Sequence, residues 1–160
     1  MNIEEIAKQM VVKGKGILAA DESTGTMEKR LKSVNIESNE KNRLHFRETL
    51  FSSDSMKSNI SGVILFDETI RQSTSAGISI PELISKSGSL PGIKVDKGAK
   101  LLAGSSNEKI TEGLDGLRER MEEYFKLGAR FAKWRAVYSI SNNHPSEQCI
   151  KANAHALARY

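Results

Sequence analysis

The sequence predicts an α/β fold built on a parallel sheet, and three observations lead to that prediction. Four short apolar runs each begin at or just after a glycine, each ends in charge, and segments with helical period separate them. Strands that alternate with helices imply right-handed crossovers between parallel strands. Strands that are apolar throughout fit this arrangement, because both faces of a parallel sheet are covered.

The predicted elements follow one another in regular order. The strands are "GILAAD" (16–21), "GVILFDE" (62–68), "GIKVD" (92–96) and "ARFAKWRAV" (129–137). Helices are predicted over "NIEEIAKQMV", "TMEKRLK", "NEKNRLHFRETLF", "PELISKS" and "LDGLRERMEEYFKLG". The serine-rich joins "FSSDSMKSNIS" and "RQSTSAGIS" are predicted to be loops inside one domain.

Individual residues support these helices. The apolar residues at helical period in "NEKNRLHFRETLF" are Leu44, Phe46, Leu50 and Phe51. Pro81 stands at a favourable first position in "PELISKS", where its missing N–H is not needed. Gly128 closes the helix "LDGLRERMEEYFKLG".

The composition suits one globular domain and disfavours a nucleic-acid partner. The chain has 160 residues, of which 38% are hydrophobic and 28% charged. Its 24 Lys and Arg against 20 Asp and Glu give a net charge of +4, but the charges alternate in sign and form no basic block. A small anionic ligand is therefore a better prediction than nucleic acid.

The chain carries no predicted disulfide, signal peptide or membrane span. Cys149 is the single cysteine, and the start "MNIEEIAKQM" lacks both the basic and the apolar region of a secretory signal. No apolar run approaches membrane-spanning length. These features predict a soluble cytoplasmic protein without a membrane partner.

Charged residues near the carboxyl ends of the predicted strands form the candidate site. Lys133 and Arg135 lie two apart in a strand and so share one face. Lys94 and Asp96 share a face in the same way, and Asp21 ends the first strand. Ligands of parallel α/β proteins bind at this end of the strands.

A shared pocket with Asp21, Lys94, Lys133 and Arg135 follows from this placement. One interpretation is an internal ion-pair network without a ligand. The surplus of cations favours an anionic ligand instead, with phosphate as the commonest candidate. A lysine among other cations is also a candidate base or amine nucleophile.

The segment "DESTGTMEKR" adds a candidate phosphate loop. Ser23, Thr24 and Thr26 offer hydroxyls, and Gly25 lets the main chain approach a ligand where a helix begins. The alternative is an ordinary helix N-cap.

Neither a dinucleotide nor a metal is predicted. "GKGILA" precedes a strand instead of following one, and the spacing of His45, His144, His155 and Cys149 is not that of metal ligands.

Five segments in consistent order resemble the N-terminal half of class I fructose-bisphosphate aldolases. They are "KGILAADESTGTMEKRL", "SGVILFDETIRQ", "GIKVDKGAKLLAG", "EGLDGLRERMEEYFKLGARFAKWRAV" and "NAHALARY". The resemblance implies a (β/α)8 TIM barrel. It also implies metal-free, cofactor-free cleavage of fructose 1,6-bisphosphate to dihydroxyacetone phosphate and glyceraldehyde 3-phosphate.

The resemblance also implies roles for individual residues. Asp21 would assist proton transfer around the carbon bond that breaks, and Lys133 would stand beside the Schiff-base carbon. Residues implied to bind substrate or its phosphates are Ser23, Thr26, Arg30, Lys94 and Arg135. Many relatives carry Ser at the place of Thr26, which keeps the hydroxyl.

The chain departs from the family in its extent. A TIM barrel has eight strands and typically about 250 residues, whereas four strands are predicted here. The family's Schiff-base lysine and catalytic glutamate lie on later strands, so the chain alone is expected to be inactive.

Three explanations of the short chain remain open. The chain is part of a longer enzyme, or a second chain completes the barrel, or two copies pair as half-barrels. The third would make it a sugar-phosphate-binding protein without lyase activity. In every case we expect sugar-phosphate ligands and a homo-oligomer.

Overall fold

The computed structural model describes residues 1–160, which form two compact units. The first unit comprises Met1–Lys94 and Glu122–Ala132, and the second comprises Val95–Met121 and Lys133–Tyr160. The helices are α1 (Ile3–Met10), α2 (Thr24–Lys32), α3 (Glu40–Phe51), α4 (Ser55–Asn59), α5 (Asp67–Ile70), α6 (Ile80–Lys86), α7 (Leu117–Lys126) and α8 (Glu147–Arg159). The strands are β1 (Gly16–Ala20), β2 (Ile60–Leu65), β3 (Leu90–Lys94), β4 (Ala99–Leu101), β5 (Lys109–Thr111) and β6 (Phe131–Lys133).

A four-stranded sheet organises the first unit, with the strand order β1-β2-β3-β6. β1 pairs with β2 in parallel, and β2 pairs with β3 in parallel. The predicted parallel α/β class is therefore confirmed, and the four predicted main strands are all present. That residues 1–160 belong to a single domain stays a prediction.

The core of the first unit lies on the two central strands. Val63 and Leu65 of β2 and Ile93 of β3 are at most 1% exposed. Strand β1 lies at the end of the sheet order, and Ile17 there is 42% exposed. Burial of both faces of the central strands explains their unbroken apolar sequence.

Two glycines of this sheet make room for an aromatic ring. A Cβ added at Gly92 would lie 2.6 Å from Cε1 of Phe131 and still closer to Cζ and Cε2 of the same ring. A Cβ at Gly62 would lie 3.1 Å from Cε1 of that ring. The Phe131 side chain therefore packs directly on the main chain of β2 and β3, which only glycine permits at position 92.

Side-chain caps fix the starts of several helices. Asn2 and Glu5 form a capping box at α1, in which each side chain accepts the other residue's amide N–H. Asn39 accepts the amide of Asn42 at α3. Ser79 caps α6, whose first turn contains Pro81 as predicted.

Several predicted boundaries need correction. The fourth main strand ends at Lys133, so Arg135 lies outside it. The alternation of side chains along a strand therefore does not determine which way the Arg135 side chain points. The Arg135 carbonyl accepts a hydrogen bond from the Thr111 hydroxyl at 2.6 Å. Asp96 likewise lies beyond β3, and its Oδ1 accepts the amide of Gly98. The predicted loop "FSSDSMKSNIS" contains the short helix α4 and the start of β2.

The second unit contains a hairpin that the sequence did not predict. Strands β4 and β5 pair antiparallel, and α8 packs on β5. The buried Asn153 side chain donates to the Lys109 carbonyl of β5 at 2.9 Å. The ring of Trp134 stacks on Tyr160 with centroids 5.5 Å apart.

A buried carboxylate, Glu108, holds the start of α8 in this unit. Glu108 is 3% exposed and accepts hydrogen bonds from both the amide and the hydroxyl of Ser146, each at 2.6 Å. The same hydroxyl accepts the amide of Cys149 as the helix N-cap. The Ser146 hydroxyl and then the Ser146 amide hold the pKa of Glu108 below its usual value, against the opposing effect of burial.

This carboxylate predicts a loss of stability in acid. A carboxyl with a lowered pKa in the folded chain stabilises the fold above its ordinary pKa, about 4.3 for glutamate. That contribution disappears as the pH falls through the lowered value. We expect the free energy of unfolding in urea to decrease as the pH falls from about 4.3 through that lowered value, and Glu108→Gln to flatten the decrease. Glu119→Gln, at an exposed site on α7, is the control, and an equally steep decrease in Glu108→Gln would contradict the assignment.

None of the helices is both long enough and apolar enough to cross a lipid bilayer.

Candidate functional site

The carboxyl ends of β1, β2 and β3 form one edge of the sheet in the first unit. The register pairs Ala20 with Leu65, and Leu65 with Ile93. Asp21 and Lys94 follow Ala20 and Ile93 directly and so lie at the same level. Because one strand separates them, their main chains are about 10 Å apart. This edge presents a carboxylate and an ammonium group, both half-buried.

A hydroxyl-bearing loop continues from β1 into α2. Ser23 occupies the N-cap position of α2, but its side chain makes no capping hydrogen bond. Its hydroxyl lies 3.2 Å from the Thr26 hydroxyl, and both residues are exposed. The space beside Gly25 is open, since an added Cβ would meet nothing within 4 Å. The N-cap interpretation is therefore correct for the position of Ser23 but not for its side chain.

Five charged residues form a network behind this loop. Arg43 of α3 donates two hydrogen bonds, of 2.9 and 2.6 Å, to the carboxylate of Glu68 on α5. Arg47 of the same helix lies 3.8 Å from a Glu22 carboxylate oxygen and 3.7 Å from one of Glu68. Arg30 of α2 donates to the other Glu22 oxygen. Glu22 thus stands between two arginines that lie on different helices.

Arg47 is the most deeply buried member of this network, with 1% exposure. Burial lowers the pKa of its guanidinium, and the carboxylates of Glu22 and Glu68 oppose that effect. The Arg43 charge lowers it further, and the Asp21 charge raises it. A buried cation is tolerable only near anions, and Glu22 and Glu68 supply them.

Lys133 and Arg135 belong to the second unit. Lys133 is half-buried at the last position of β6, and its carbonyl accepts the amide of Val95 at 3.1 Å. Arg135 is exposed, and the Thr111 hydroxyl fixes its main chain. Both residues therefore have a defined main-chain position within their own unit.

The predicted site residues divide between the two units. Five of them lie at or next to the strand edge of the first unit: Asp21, Ser23, Thr26, Arg30 and Lys94. The two in the second unit are Lys133 and Arg135. That Asp21, Lys94, Lys133 and Arg135 share one pocket stays a prediction, as do the binding roles of Ser23, Thr26 and Arg30.

Sequence reasoning missed the charged network on α3. The buried residues of this helix are Arg43, Arg47 and Phe51, spaced four apart on one face. Phe46, assigned to the apolar face, is 40% exposed. The sequence did contain a signal for this buried face, because two arginines and a phenylalanine recur at intervals of four residues. Long arginine stems can line a buried face while their charged ends reach carboxylates.

Potential metal ligands do not cluster. No group of three or more His, Cys, Asp or Glu side chains is arranged to hold a metal ion. His45 and His155 are exposed, and His144 is half-buried. Freedom from metal and cofactor stays a prediction.

The fold and the strand edge define a class of protein. A parallel α/β sheet with charged side chains at the carboxyl ends of its strands is the arrangement of α/β proteins that bind small ligands at that edge. The chain belongs to the family of class-I fructose-bisphosphate aldolases. The family model "Glycolytic: Fructose-bisphosphate aldolase class-I" matches residues 2–160, which confirms the resemblance derived from the sequence.

Individual relatives agree with the family assignment. A "Probable fructose-bisphosphate aldolase class 1" of Xylella fastidiosa (strain Temecula1) is 59% identical over 163 residues, covering 100% of this chain and 49% of the relative. The "Fructose-bisphosphate aldolase" of Schistosoma mansoni is 51% identical over 160 residues, covering 99% of this chain and 44% of that protein. The chain therefore spans about half the length of the curated relatives it matches.

A solved structure matches the fold. The fructose-bisphosphate aldolase of Plasmodium falciparum, solved "in complex with TRAP and a small molecule inhibitor", superimposes with a TM-score of 0.94 at 46% identity. The match covers 98% of this chain and 46% of that one. The main chain described here is therefore that of part of an aldolase, and the TIM-barrel fold that the resemblance implied is confirmed.

Proposed function

We propose that this chain is the N-terminal half of a class I, Schiff-base, metal-independent fructose-bisphosphate aldolase. The observation that carries the proposal is the family match over residues 2–160. The complete enzyme would cleave fructose 1,6-bisphosphate to dihydroxyacetone phosphate and glyceraldehyde 3-phosphate. It would act in the cytoplasm, in glycolysis and, in the reverse direction, gluconeogenesis, as a homo-oligomer.

Within that enzyme, the first unit would bind a phosphate and move a proton. The exposed hydroxyls of Ser23 and Thr26 and the open space at Gly25 suit a phosphate group. The Arg30 side chain is 56% exposed, so it can reach the same phosphate while bonded to Glu22. The Asp21 carboxylate would take the proton of the substrate hydroxyl as the carbon–carbon bond breaks.

The cationic residues would act on the other parts of the substrate. Lys94, at the end of β3, would bind a substrate oxygen, and Arg135 would bind the second phosphate. Lys133 would assist the addition and loss of water at the carbonyl carbon that forms the imine. The imine lysine itself would come from the C-terminal half of the barrel, in the same or a second chain, and its protonated nitrogen would accept the electron pair of the broken bond.

Borohydride trapping tests this division of labour. The complete protein is incubated with dihydroxyacetone phosphate and borohydride, which reduces and locks an imine, and the adduct is mapped by mass spectrometry after digestion. We expect an adduct on a lysine outside residues 1–160, and none without the ketone. An adduct on one of these 160 residues would overturn the assignment of the imine lysine to the other half.

The same experiment tests the whole function. If the complete protein forms no adduct and cleaves no fructose 1,6-bisphosphate, the aldolase proposal fails. Binding of the sugar phosphate without any adduct would favour the non-catalytic binding protein instead.

A further inference from the structure

Arg47 makes one short hydrogen bond that the ion pairs around it do not explain. Its Nη2 donates to the main-chain carbonyl of Glu22 at 2.7 Å. The Glu22 carbonyl belongs to the peptide bond between Glu22 and Ser23. This peptide joins the end of β1, which carries Asp21, to the hydroxyl loop that begins with Ser23.

The anchors on either side of this peptide are different. On one side, β1 is paired with β2 up to Ala20. On the other side, the Ser23 carbonyl accepts the amides of Thr26 and Met27 in the first turn of α2. Arg47 reaches the peptide between these two anchors from a third element, α3, 25 residues away in sequence.

Arg47 faces two carboxylates at distances longer than a hydrogen bond. The carboxylates of Glu22 and Glu68 lie 3.8 and 3.7 Å from its guanidinium. The Nε and Nη1 atoms of Arg47 have no hydrogen-bond partner among the protein atoms. A buried arginine that leaves donors unused is a poor source of stability, because unpaired buried donors are unfavourable. The bond to the Glu22 carbonyl is the one hydrogen bond that this guanidinium makes within the protein.

We infer that Arg47 is a positioning residue, which fixes the Glu22–Ser23 peptide and thereby aligns the Asp21 carboxylate with the phosphate bound at the hydroxyl loop. This inference rests on the proposed aldolase function. Arg47 does not touch substrate in this role. It sets the direction in which the chain leaves β1, and a misplacement of about 1 Å at a reacting group can lower a rate by about 100-fold.

Arg47→Ala and Arg47→Lys in the complete enzyme test the inference, and Arg43→Ala and Arg43→Lys are the matched controls. Arg43 lies on the same face of α3 and contacts the same network without a hydrogen bond to the Glu22 carbonyl. We expect Arg47→Ala to lower kcat about 30-fold. The KM for fructose 1,6-bisphosphate should stay within about threefold of that of the unmutated enzyme, because the side chains that bind the phosphates are still present. The Arg43 variants keep kcat within about threefold.

Chemical rescue separates positioning from mere stability. Guanidinium chloride below denaturing concentrations should restore part of kcat in Arg47→Ala, whereas the same concentration of sodium chloride should not. A kcat within about threefold of the unmutated enzyme in Arg47→Ala would overturn the inference. An equal loss in the Arg43 variants, or a rise in KM that accounts for the loss, would also overturn it. Where Arg47→Ala does not fold, Arg47→Lys is compared with Arg43→Lys in its place.

A readout independent of catalysis distinguishes this inference from the aldolase proposal. The main-chain carbonyl of Glu22 is labelled with ¹³C and its chemical shift is measured. A larger change in Arg47→Lys than in Arg43→Lys supports the hold of Arg47 on the peptide, even if the unmutated protein cleaves no sugar phosphate and the proposed function fails. An equal shift in the two variants overturns the inference whatever the activity.

Discussion

Lys133→Met in the complete enzyme should lower turnover of fructose 1,6-bisphosphate about 1,000-fold and leave stability almost unchanged. The proposed reaction needs an ammonium group beside the carbonyl carbon, and positioned acid–base groups of this kind contribute about 100- to 10,000-fold. Methionine keeps the length of the lysine stem, and the main chain at this position is held through the Lys133 carbonyl. The measurement is kcat in a coupled cleavage assay, with thermal unfolding in parallel.

Lys126→Met provides the matched control, because Lys126 is an exposed lysine in the last turn of α7. Its kcat should be that of the unmutated enzyme. Near-normal turnover in Lys133→Met would refute the role assigned to Lys133. A large loss of stability in that variant would mean that the lysine serves the fold.

Gly92→Ala should destabilise the protein by about 3 kcal/mol. The added Cβ would lie 2.6 Å from Cε1 of the Phe131 ring and closer to two other ring atoms, so that the ring or a central strand must move. Urea unfolding gives the change in the free energy of unfolding. Gly16→Ala, in β1 where a Cβ meets nothing within 4 Å, should change it by less than about 0.5 kcal/mol.

A double variant tests the cause of this destabilisation. Phe131→Leu removes the ring atoms that lie nearest the added Cβ. In that background Gly92→Ala should therefore lower the free energy of unfolding much less. Additive effects of the two substitutions would show that the ring is not the obstacle. Full stability of Gly92→Ala alone would contradict the close packing of Phe131 on β3.

The main strands were predictable because each combines an apolar run with a preceding glycine. The runs around Val63 and Ile93 are buried on both faces, so an unbroken apolar sequence was enough to predict these strands. Prediction failed where elements are short or charged. Strands β4 and β5 have three residues each, too few for alternation to be recognised.

The site was predictable in its charged strand ends and not in what supports them. Asp21 and Lys94 stand where strands of known direction stop, so the parallel sheet implies their position. The roles of Arg43 and Arg47 depend on the carboxylates of Glu68 and Glu22, which lie on other segments of the chain. A helix face that carries arginines is predicted to be exposed when only the period of apolar residues is considered. The grouping with Lys133 and Arg135 was inferred from the same placement of charge near strand ends and stays a prediction.

The charged network around Arg47 also has a consequence for how the chain emerges from the ribosome. Each hydrogen bond from α3 to Glu22 or Glu68 joins residues 25 positions apart. Closing a loop of that length requires about 3 kcal/mol of chain entropy, a modest amount for paired charges and a packed helix to offset. All members of the network have been synthesised once Glu68 has been added. The network needs no residue after Glu68, so the backbone around Asp21 can be organised during translation, before the segment that carries Lys133 is made.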